Sequence, residues 1–311
     1  MTACAASSPA DRTGSGDGAS RATQLALPAL DSARLIGDLF RLSHDSMGGR
    51  AAASPQSAKA RAWLTGEFRR LGLEPLGGSF EHPFAMPARR GGPDSVRGVN
   101  VIGIVLGSAV PEQLIVVSAH YDHLGTRNGV VFNGADDNAS GTAAVLAMAA
   151  YFRSHTPEHT LIFALWDAEE IGLVGARAFV ANPPLPLARI VANVNLDMVS
   201  RNVKGELYAA GATPWPRMRP ILEAVVPRAG VTLRLGHDSG GGQEDWTNQS
   251  DQGAFNAARI PFVYFGVDDH ADYHKATDDP ERIEPGFYYR AARTITAFVE
   301  SLDRASRGWP Q

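Results

Sequence analysis

The chain has 311 residues, 44% hydrophobic and 20% charged, with a formal net charge of −4 at pH 7. These values are typical of a globular protein with a large apolar core, and the mild charge argues against nucleic acid or an anionic membrane as a partner. Cys4 is the only cysteine, which excludes an internal disulfide, and no apolar run reaches the roughly 20 residues of a membrane span.

The N-terminal part of the chain divides into a tail and a helical lead-in. Residues 1–28 are rich in small and polar residues and are predicted to be a disordered tail that lacks the apolar centre of a signal peptide. Residues 29–96 are predicted to be a helical lead-in followed by a loop. Within them, Ala60, Leu64 and Phe68 recur at helical spacing, and a Pro- and Gly-rich stretch follows.

Residues 97–305 alternate between short β-branched runs and alanine-rich runs. The predicted strands are VNVIGIVLG, QLIVVSA, HTLIFALW, RIVANVNL and RIPFVYFG. The predicted helices cover residues 140–154, 171–181, 216–228, 246–258 and 285–304. Uninterrupted apolar strands separated by helices predict an α/β fold, with a mostly parallel central sheet sandwiched by helices. Residues 29–311 are therefore predicted to form a single domain.

Imidazole and carboxylate side chains follow four of these strands. They are His120 and Asp122, then Asp167, Glu169 and Glu170, then Asp197, and finally Asp272 and His274. Taken singly, each has a structural explanation as a cap, a turn residue, a helix start or a buried histidine. Ligands bind at the carboxyl edge of open α/β sheets, so we expect these side chains to meet there. Two histidines and at least three carboxylates suit zinc, with manganese or cobalt as substitutes.

The segment FNGADDNASGT, residues 132–142, carries two adjacent aspartates between two of these strands. Two dications a few ångströms apart repel each other, so an anion must bridge them. If five side chains hold two metals with three ligands each, one carboxylate must serve both. Charge counting therefore predicts a bridging aspartate in this loop, and it does not choose between Asp136 and Asp137.

Five motifs in order resemble the co-catalytic di-zinc aminopeptidases of peptidase family M28: SAHYDHLG, GADDNASG, WDAEEIGLVGA, NLDMV and DYHKATD. The likeness covers roughly residues 35–300 and implies the zinc-exopeptidase, phosphorylase/hydrolase-like fold. The family's bridging aspartate lies in a D-x-x-S-G pattern, which DNASG matches at Asp137, leaving Asp136 a loop or supporting role. The resemblance implies two zinc ions held by His120, Asp137, Glu170, Asp197 and His274.

The resemblance also implies roles for three further side chains. Glu169 is the general base, Asp122 orients His120, and Tyr273 donates a hydrogen bond to the developing oxyanion. The implied activity removes N-terminal amino acids from a peptide or a small aminoacyl substrate. By the same resemblance the protein is expected to be exported, although this chain shows no signal peptide. The sequence carries no signal for oligomeric state.

Several positions depart from the family pattern or stay outside the predicted ligand set. Gln252 stands where many members carry His and is expected to alter the pocket wall without touching the metals. The glycine-rich residues 236–246 are predicted to be a flexible loop. His123 and His270 lie close in sequence to predicted ligands, yet neither is expected to bind metal.

Two alternatives compete with the two-metal peptidase. A single-zinc glutaminyl cyclase shares this fold and needs only one Asp, one Glu and one His. A non-catalytic binding domain of the same fold would be expected to have lost ligands or the base. All five predicted ligands and the Ser140–Gly141 helix start are present, which favours the hydrolase.

Overall fold

A nine-stranded sheet forms the centre of the molecule, and a two-stranded hairpin lies outside it. The computed structural model describes residues 1–2, 26–86, 95–239 and 244–309, so most of the predicted tail lies outside the described residues. The strands are β1 (Glu74–Pro75), β2 (Glu81–Met86), β3 (Val96–Val105), β4 (Val110–His120), β5 (Gly125–Arg127), β6 (Val130–Phe132), β7 (His159–Trp166), β8 (Ile190–Leu196), β9 (Glu206–Ala210), β10 (Thr232–Leu235) and β11 (Phe262–Gly266). The α-helices are α1 (Ser32–Leu42), α2 (Pro55–Leu71), α3 (Gly141–Ser154), α4 (Val174–Ala181), α5 (Arg219–Val225), α6 (Gln252–Ala257) and α7 (Pro285–Ala305).

The large sheet is mixed, with parallel pairing among its four central strands and antiparallel pairing on either side of them. Its order is β1-β3-β7-β4-β8-β11-β9-β10, and β2 also pairs with β3. The central strands β7, β4, β8 and β11 run parallel to one another. β3 and β9 flank them as antiparallel neighbours. The predicted α/β fold is confirmed, and the mostly parallel character belongs to the four central strands of a mixed sheet.

Both faces of the sheet are covered by helices, because successive residues of the central strands are apolar and point to opposite faces. On one face, Val117 and Phe163 belong to a core shared with α1, α2, α3, α5 and α7. On the other face, Val116 and Ile162 pack with residues of α4 and α6. No helix within the described residues is long and apolar enough to cross a bilayer.

The largest departures from the predicted elements lie in the second half of the chain. The helix predicted over 246–258 begins only at Gln252, and residues 246–251 precede it without α-helical structure. The helix predicted over 216–228 is α5 flanked by two short 3-10 turns, each of which begins at or next to a proline (Pro216 and Pro227). The short strands β9 and β10 were not predicted.

Candidate metal centre

The side chains predicted as metal ligands come from the carboxyl ends of the four parallel central strands and from one loop. His120 is the last residue of β4, and Asp197 directly follows β8. Glu170 lies in the loop after β7, and His274 lies in the loop after β11. Asp137 lies between β6 and α3. Because these strand ends are neighbours in the sheet, residues far apart in sequence meet at one place.

The glycine at the start of α3 brings the Asp137 loop against the strand that leads to Asp197. A Cβ atom on Gly141 would lie 2.5 Å from the carbonyl oxygen of Leu196, the last residue of β8. A larger residue would therefore push the helix away from the sheet. Glycine at this position therefore allows the start of α3 to lie close to the end of β8.

Asp137 faces two groups of donors, one with each carboxylate oxygen. Its Oδ1 lies 3.4 Å from Nε2 of His120, which in turn lies 3.2 Å from Oδ1 of Asp197. Its Oδ2 lies 3.1 Å from Nε2 of His274, which lies 3.2 Å from Oε2 of Glu170. The structure thus brings the five predicted ligands together, with Asp137 between the two pairs.

A further buried histidine, His123, reaches the same cluster. Its Nδ1 lies 2.6 Å from Oε1 of Glu170 and 3.7 Å from Oδ2 of Asp137. His123, Asp137 and Glu170 offer ligand atoms that all lie within 4.8 Å of one another, a donor set that fits a divalent cation. Sequence reasoning underestimated this contact, although the position of His123 three residues after His120 was a signal. That His123 binds no metal stays a prediction.

Glu169 lies on the His120 side of the cluster and lines the adjoining cleft. Its Oε2 is 4.0 Å from Nε2 of His120. His120, Glu169 and Asp197 form a second group of possible ligand atoms within 4.8 Å of one another. The adjacent carboxylates of Glu169 and Glu170 therefore diverge, and each faces a different group.

Asp122 holds the backbone that carries these two glutamates. Its carboxylate accepts the N–H groups of Glu169 at 3.0 Å and of Glu170 at 3.4 Å. Its Oδ1 lies 3.7 Å from Nδ1 of His120, whereas its backbone carbonyl lies 3.1 Å from the same nitrogen. When Nδ1 donates to that carbonyl, Nε2 of His120 keeps a lone pair that is available to a cation.

The carboxylate of Asp136 turns away from the cluster. Its Oδ1 accepts the N–H and the hydroxyl of Ser200, both at 2.8 Å, and its Oδ2 lies 3.0 Å from Nε2 of His270. Asp278 accepts the backbone N–H groups of both Asp136 and Asp137 at 3.0 Å. These side chains fix the loop that presents Asp137. Asp278 was not singled out, although it closes the motif DYHKATD.

The pKa values of the two adjacent glutamates are shifted in opposite directions. Burial raises the pKa of Glu169 well above its ordinary value, against the attraction of His120. Burial also opposes ionisation of Glu170, but the close contacts of its carboxylate with His123 and His274 outweigh it and hold the pKa of Glu170 far below the usual range. Glu170 is therefore a permanent anion, whereas Glu169 is able to hold a proton.

Tyr273 lies at the edge of the cluster, where its ring stacks on His274 with centroids 3.9 Å apart. Burial, together with the carboxylates of Asp137 and Asp197, raises the pKa of the Tyr273 phenol well above its usual value. The phenol therefore remains protonated and able to donate a hydrogen bond.

A cleft of about 590 Å³ opens beside the cluster. Its carboxylates are Asp137, Glu169, Glu170, Asp197 and Asp269, and its apolar wall includes Ile171, Leu173 and Trp246. None of the described residues that line it is a lysine or an arginine. The charged side chains of the cleft are therefore predominantly acidic.

Two residues behind the cleft belong to the segment SDQGAF. Gln252 is buried, accepts a hydrogen bond from Asn195 and donates one to the carbonyl of Trp246, so it supports the wall that Trp246 forms. Asp251 is buried, and neither of its carboxylate oxygens has a hydrogen-bond partner among the described residues. Burial raises the pKa of Asp251 to about 7.

The predicted flexible loop over residues 236–246 is described only in part, since residues 240–243 lie outside the described residues. The ring of His237 stacks on Trp246 with centroids 3.6 Å apart. The two ends of the segment therefore pack together next to the cleft.

The chain matches the family model of peptidase family M28 over residues 100–299. It is 33% identical over 157 residues to an aminopeptidase of Pseudomonas aeruginosa, covering 49% of this chain. The chain spans only 28% of that relative's length.

Two solved structures show the same fold. A zinc aminopeptidase from Bacillus subtilis superposes with a TM-score of 0.71 at 19% identity, covering 88% of this chain and 95% of that one. A glutaminyl cyclase of Bacteroides thetaiotaomicron gives a TM-score of 0.72 at 18% identity, covering 88% and 99%. The family match extends over more than half of the sequence and includes every predicted ligand, so the chain belongs to peptidase family M28.

Proposed function

We propose that this protein is a metal-dependent exopeptidase that removes N-terminal amino acids from peptides, with two zinc ions and Glu169 as general base. The observation that carries the proposal is the position of Asp137, whose two oxygens face different donor groups. A carboxylate in that position is suited to bridge two cations, which a one-metal enzyme does not require.

The donors divide into two sets around that bridge. His120 and Asp197 would hold one ion, Glu170 and His274 would hold the other, and Asp137 would be shared. Nitrogen and carboxylate ligands without cysteine match the donors of catalytic zinc sites. Bound zinc lowers the pKa of water towards neutral and polarises the scissile carbonyl.

Glu169 would receive the proton of the attacking water and pass it to the leaving amine. A general base works best when its pKa lies near the operating pH, and burial shifts the pKa of Glu169 upwards from its ordinary value. The protonated phenol of Tyr273 would donate to the oxygen that becomes negative in the transition state.

The charge of the cleft supports the amino end of a peptide as the group that is bound. Five carboxylates line it, and none of the described lining residues is a lysine or an arginine. Bound zinc would offset the charges of Asp137, Glu170 and Asp197, which leaves Glu169 and Asp269 as the carboxylates able to attract a free α-ammonium group. Export of the protein remains an expectation from family resemblance.

The alternatives differ in their metal content and substrates. A glutaminyl cyclase shares the fold, and one of its members is a structural neighbour. It would need only one metal, whereas His120 with Asp197 and His274 with Glu170 lie on either side of Asp137 in this chain. A binding domain would need neither group.

The decisive experiment combines metal analysis with paired substrates. The zinc-loaded protein should contain about two zinc ions per chain. It should cleave aminoacyl-p-nitroanilides with a free amino group and leave the N-acetylated forms of the same substrates intact. One zinc ion with cyclisation of N-terminal glutamine would favour the cyclase, and absence of zinc would favour the binding domain. Cleavage of only the acetylated substrates would overturn the aminopeptidase activity.

A further inference from the structure

A buried arginine, Arg50, lies beneath the metal centre and takes no part in the mechanism above. Its side chain is completely buried. The guanidinium makes no ion-pair contact within 4.0 Å among the described residues, and all its hydrogen bonds there go to backbone carbonyl groups. A buried charge without a partner carboxylate is costly, so its presence calls for a specific reason.

The four carbonyl groups belong to segments that carry or support the predicted ligands. Nε donates to the carbonyl of Tyr121 at 2.8 Å, and Tyr121 lies between His120 and Asp122. Nη1 donates to Asn133 at 2.7 Å and Nη2 donates to Gly134 at 3.0 Å, in the loop that leads to Asp137. Nη1 also donates to Leu42, the last residue of α1, at 2.7 Å. Four of the five guanidinium N–H groups are therefore used to join three segments.

The backbone at Gly49 and Arg50 adopts an uncommon conformation that places the Arg50 side chain beneath the metal centre. Arg50 has φ +53°, in the left-handed region that non-glycine residues rarely adopt. The preceding Gly49 has φ +69°, and a Cβ atom there would lie 2.4 Å from the carbonyl oxygen of Phe132 and 2.5 Å from that of Gly125. The turn thus packs directly against the β5–β6 hairpin. Such a conformation persists only where its surroundings hold it, and it occurs most often at functional sites.

The charge of Arg50 acts on two predicted ligands and on two aspartates that support them. The carboxylates that act on it most strongly are Asp137, Asp122, Asp278 and Glu170. None of them is bonded to it, so the cation offsets their mutual repulsion without occupying an oxygen that a metal would need.

We propose that Arg50 is a positioning residue of the metal centre. It fixes the distance between the Tyr121–Asp122 turn and the Asn133–Gly134 loop, and it supplies a fixed positive charge beneath the shared carboxylate of Asp137. This inference rests on the metal site of the proposed function, and it concerns zinc affinity rather than the chemical step.

The test compares three purified variants by zinc competition with a chromophoric chelator. In Arg50→Met, both the charge and the four hydrogen bonds are lost, so we expect zinc affinity to fall about 10- to 100-fold. Arg50→Lys keeps the charge but cannot join three segments, so we expect a smaller fall. Arg293→Met is the matched control, because Arg293 also donates to two backbone carbonyls, and these belong to Leu27 and Pro28 of the N-terminal segment, which carries no predicted ligand. Its zinc affinity should equal that of the wild type.

A second readout is the rise in Tm that saturating zinc produces. It can be measured even if Arg50→Met is much less stable than the wild type in the absence of zinc. This rise reports the affinity of the folded state, so a residue that serves stability alone would lower Tm equally with and without zinc. The proposal is overturned if the wild type binds zinc and both Arg50 variants bind it equally tightly. If the wild type itself binds no zinc, the proposed function fails instead.

Discussion

Asp136 and Asp137 are neighbours in the chain, yet their carboxylates face opposite surroundings. Asp137 lies 3.1 Å from Nε2 of His274 and 3.4 Å from Nε2 of His120, inside the predicted metal centre. Asp136 accepts two hydrogen bonds from Ser200 and lies 3.0 Å from His270. One aspartate is thus placed to bind cations, while the other holds the loop in position.

The first prediction follows from this division. Asp137→Asn loses the charge that offsets two dications, so zinc content should fall from about two ions to about one or fewer, with loss of peptidase activity. Asp136→Asn keeps an acceptor oxygen for Ser200, so it should retain both ions and lose only about 1–2 kcal/mol of unfolding free energy. Metal analysis and urea unfolding of the two isosteric variants check this. The reverse pattern of zinc loss would assign the bridge to Asp136.

The second prediction concerns Glu169. Glu169→Gln removes the proton acceptor but keeps the size of the side chain, so kcat should fall about 10²- to 10⁴-fold. Zinc content should stay at the wild-type value, because Glu169 is not among the predicted ligands. The same preparations are measured for zinc and for hydrolysis of leucine p-nitroanilide. Since Glu169 also lies within reach of His120 and Asp197, loss of one zinc ion in this variant would make it a ligand instead.

The third prediction concerns His123, whose Nδ1 lies 2.6 Å from Glu170. If His123 only orients that carboxylate, His123→Asn should keep two zinc ions and bind them about tenfold more weakly. His274→Asn is the comparison, and it should lose one of the two ions. Zinc titration of both variants distinguishes the roles. Loss of an ion from His123→Asn, with none lost from His274→Asn, would exchange the two histidines.

The sequence predicts those strands whose run of apolar residues matches their burial in the structure. The central strands are uninterrupted apolar runs buried on both faces, and HTLIFALW coincides with β7 (His159–Trp166). Strand β10, at the edge of the sheet, has four residues of which only Leu233 is buried, and its neighbour β9 has only five residues. Their conformation comes from pairing with neighbouring strands, which a single segment does not encode.

The same distinction applies to the site. The cluster was predictable because each strand end carries its own polar residues, and parallel strand ends meet at one edge. The contacts of Arg50 with Tyr121, Asn133 and Gly134 join positions 71 to 84 residues apart, so they depend on how the lead-in packs against the sheet. The choice of Asp137 over Asp136 came from the D-x-x-S-G pattern, since composition and charge do not separate two adjacent aspartates.

The last prediction concerns stability and pH, far from the metal centre. Asp38 on α1 is 14% exposed and lies 3.2 Å from Nε of Arg34. Burial raises the pKa of Asp38 to about 6 from 3.8, although Arg34 opposes the shift. A carboxyl whose pKa is higher in the folded state stabilises the fold below pH 3.8, and that contribution is lost as the pH rises through about 6.

Asp38→Asn removes this titration, so its unfolding free energy relative to the wild type should increase between about pH 4.5 and about pH 8. Two pKa units correspond to roughly 3 kcal/mol, and partial exposure reduces the expected increase to about 2 kcal/mol. Urea unfolding of both proteins at the two pH values measures the difference. Glu223→Gln, which removes an exposed carboxylate on α5, controls for the loss of one negative charge and should show a much smaller change. An equal change in both variants would mean that net charge, rather than the burial of Asp38, sets the pH dependence.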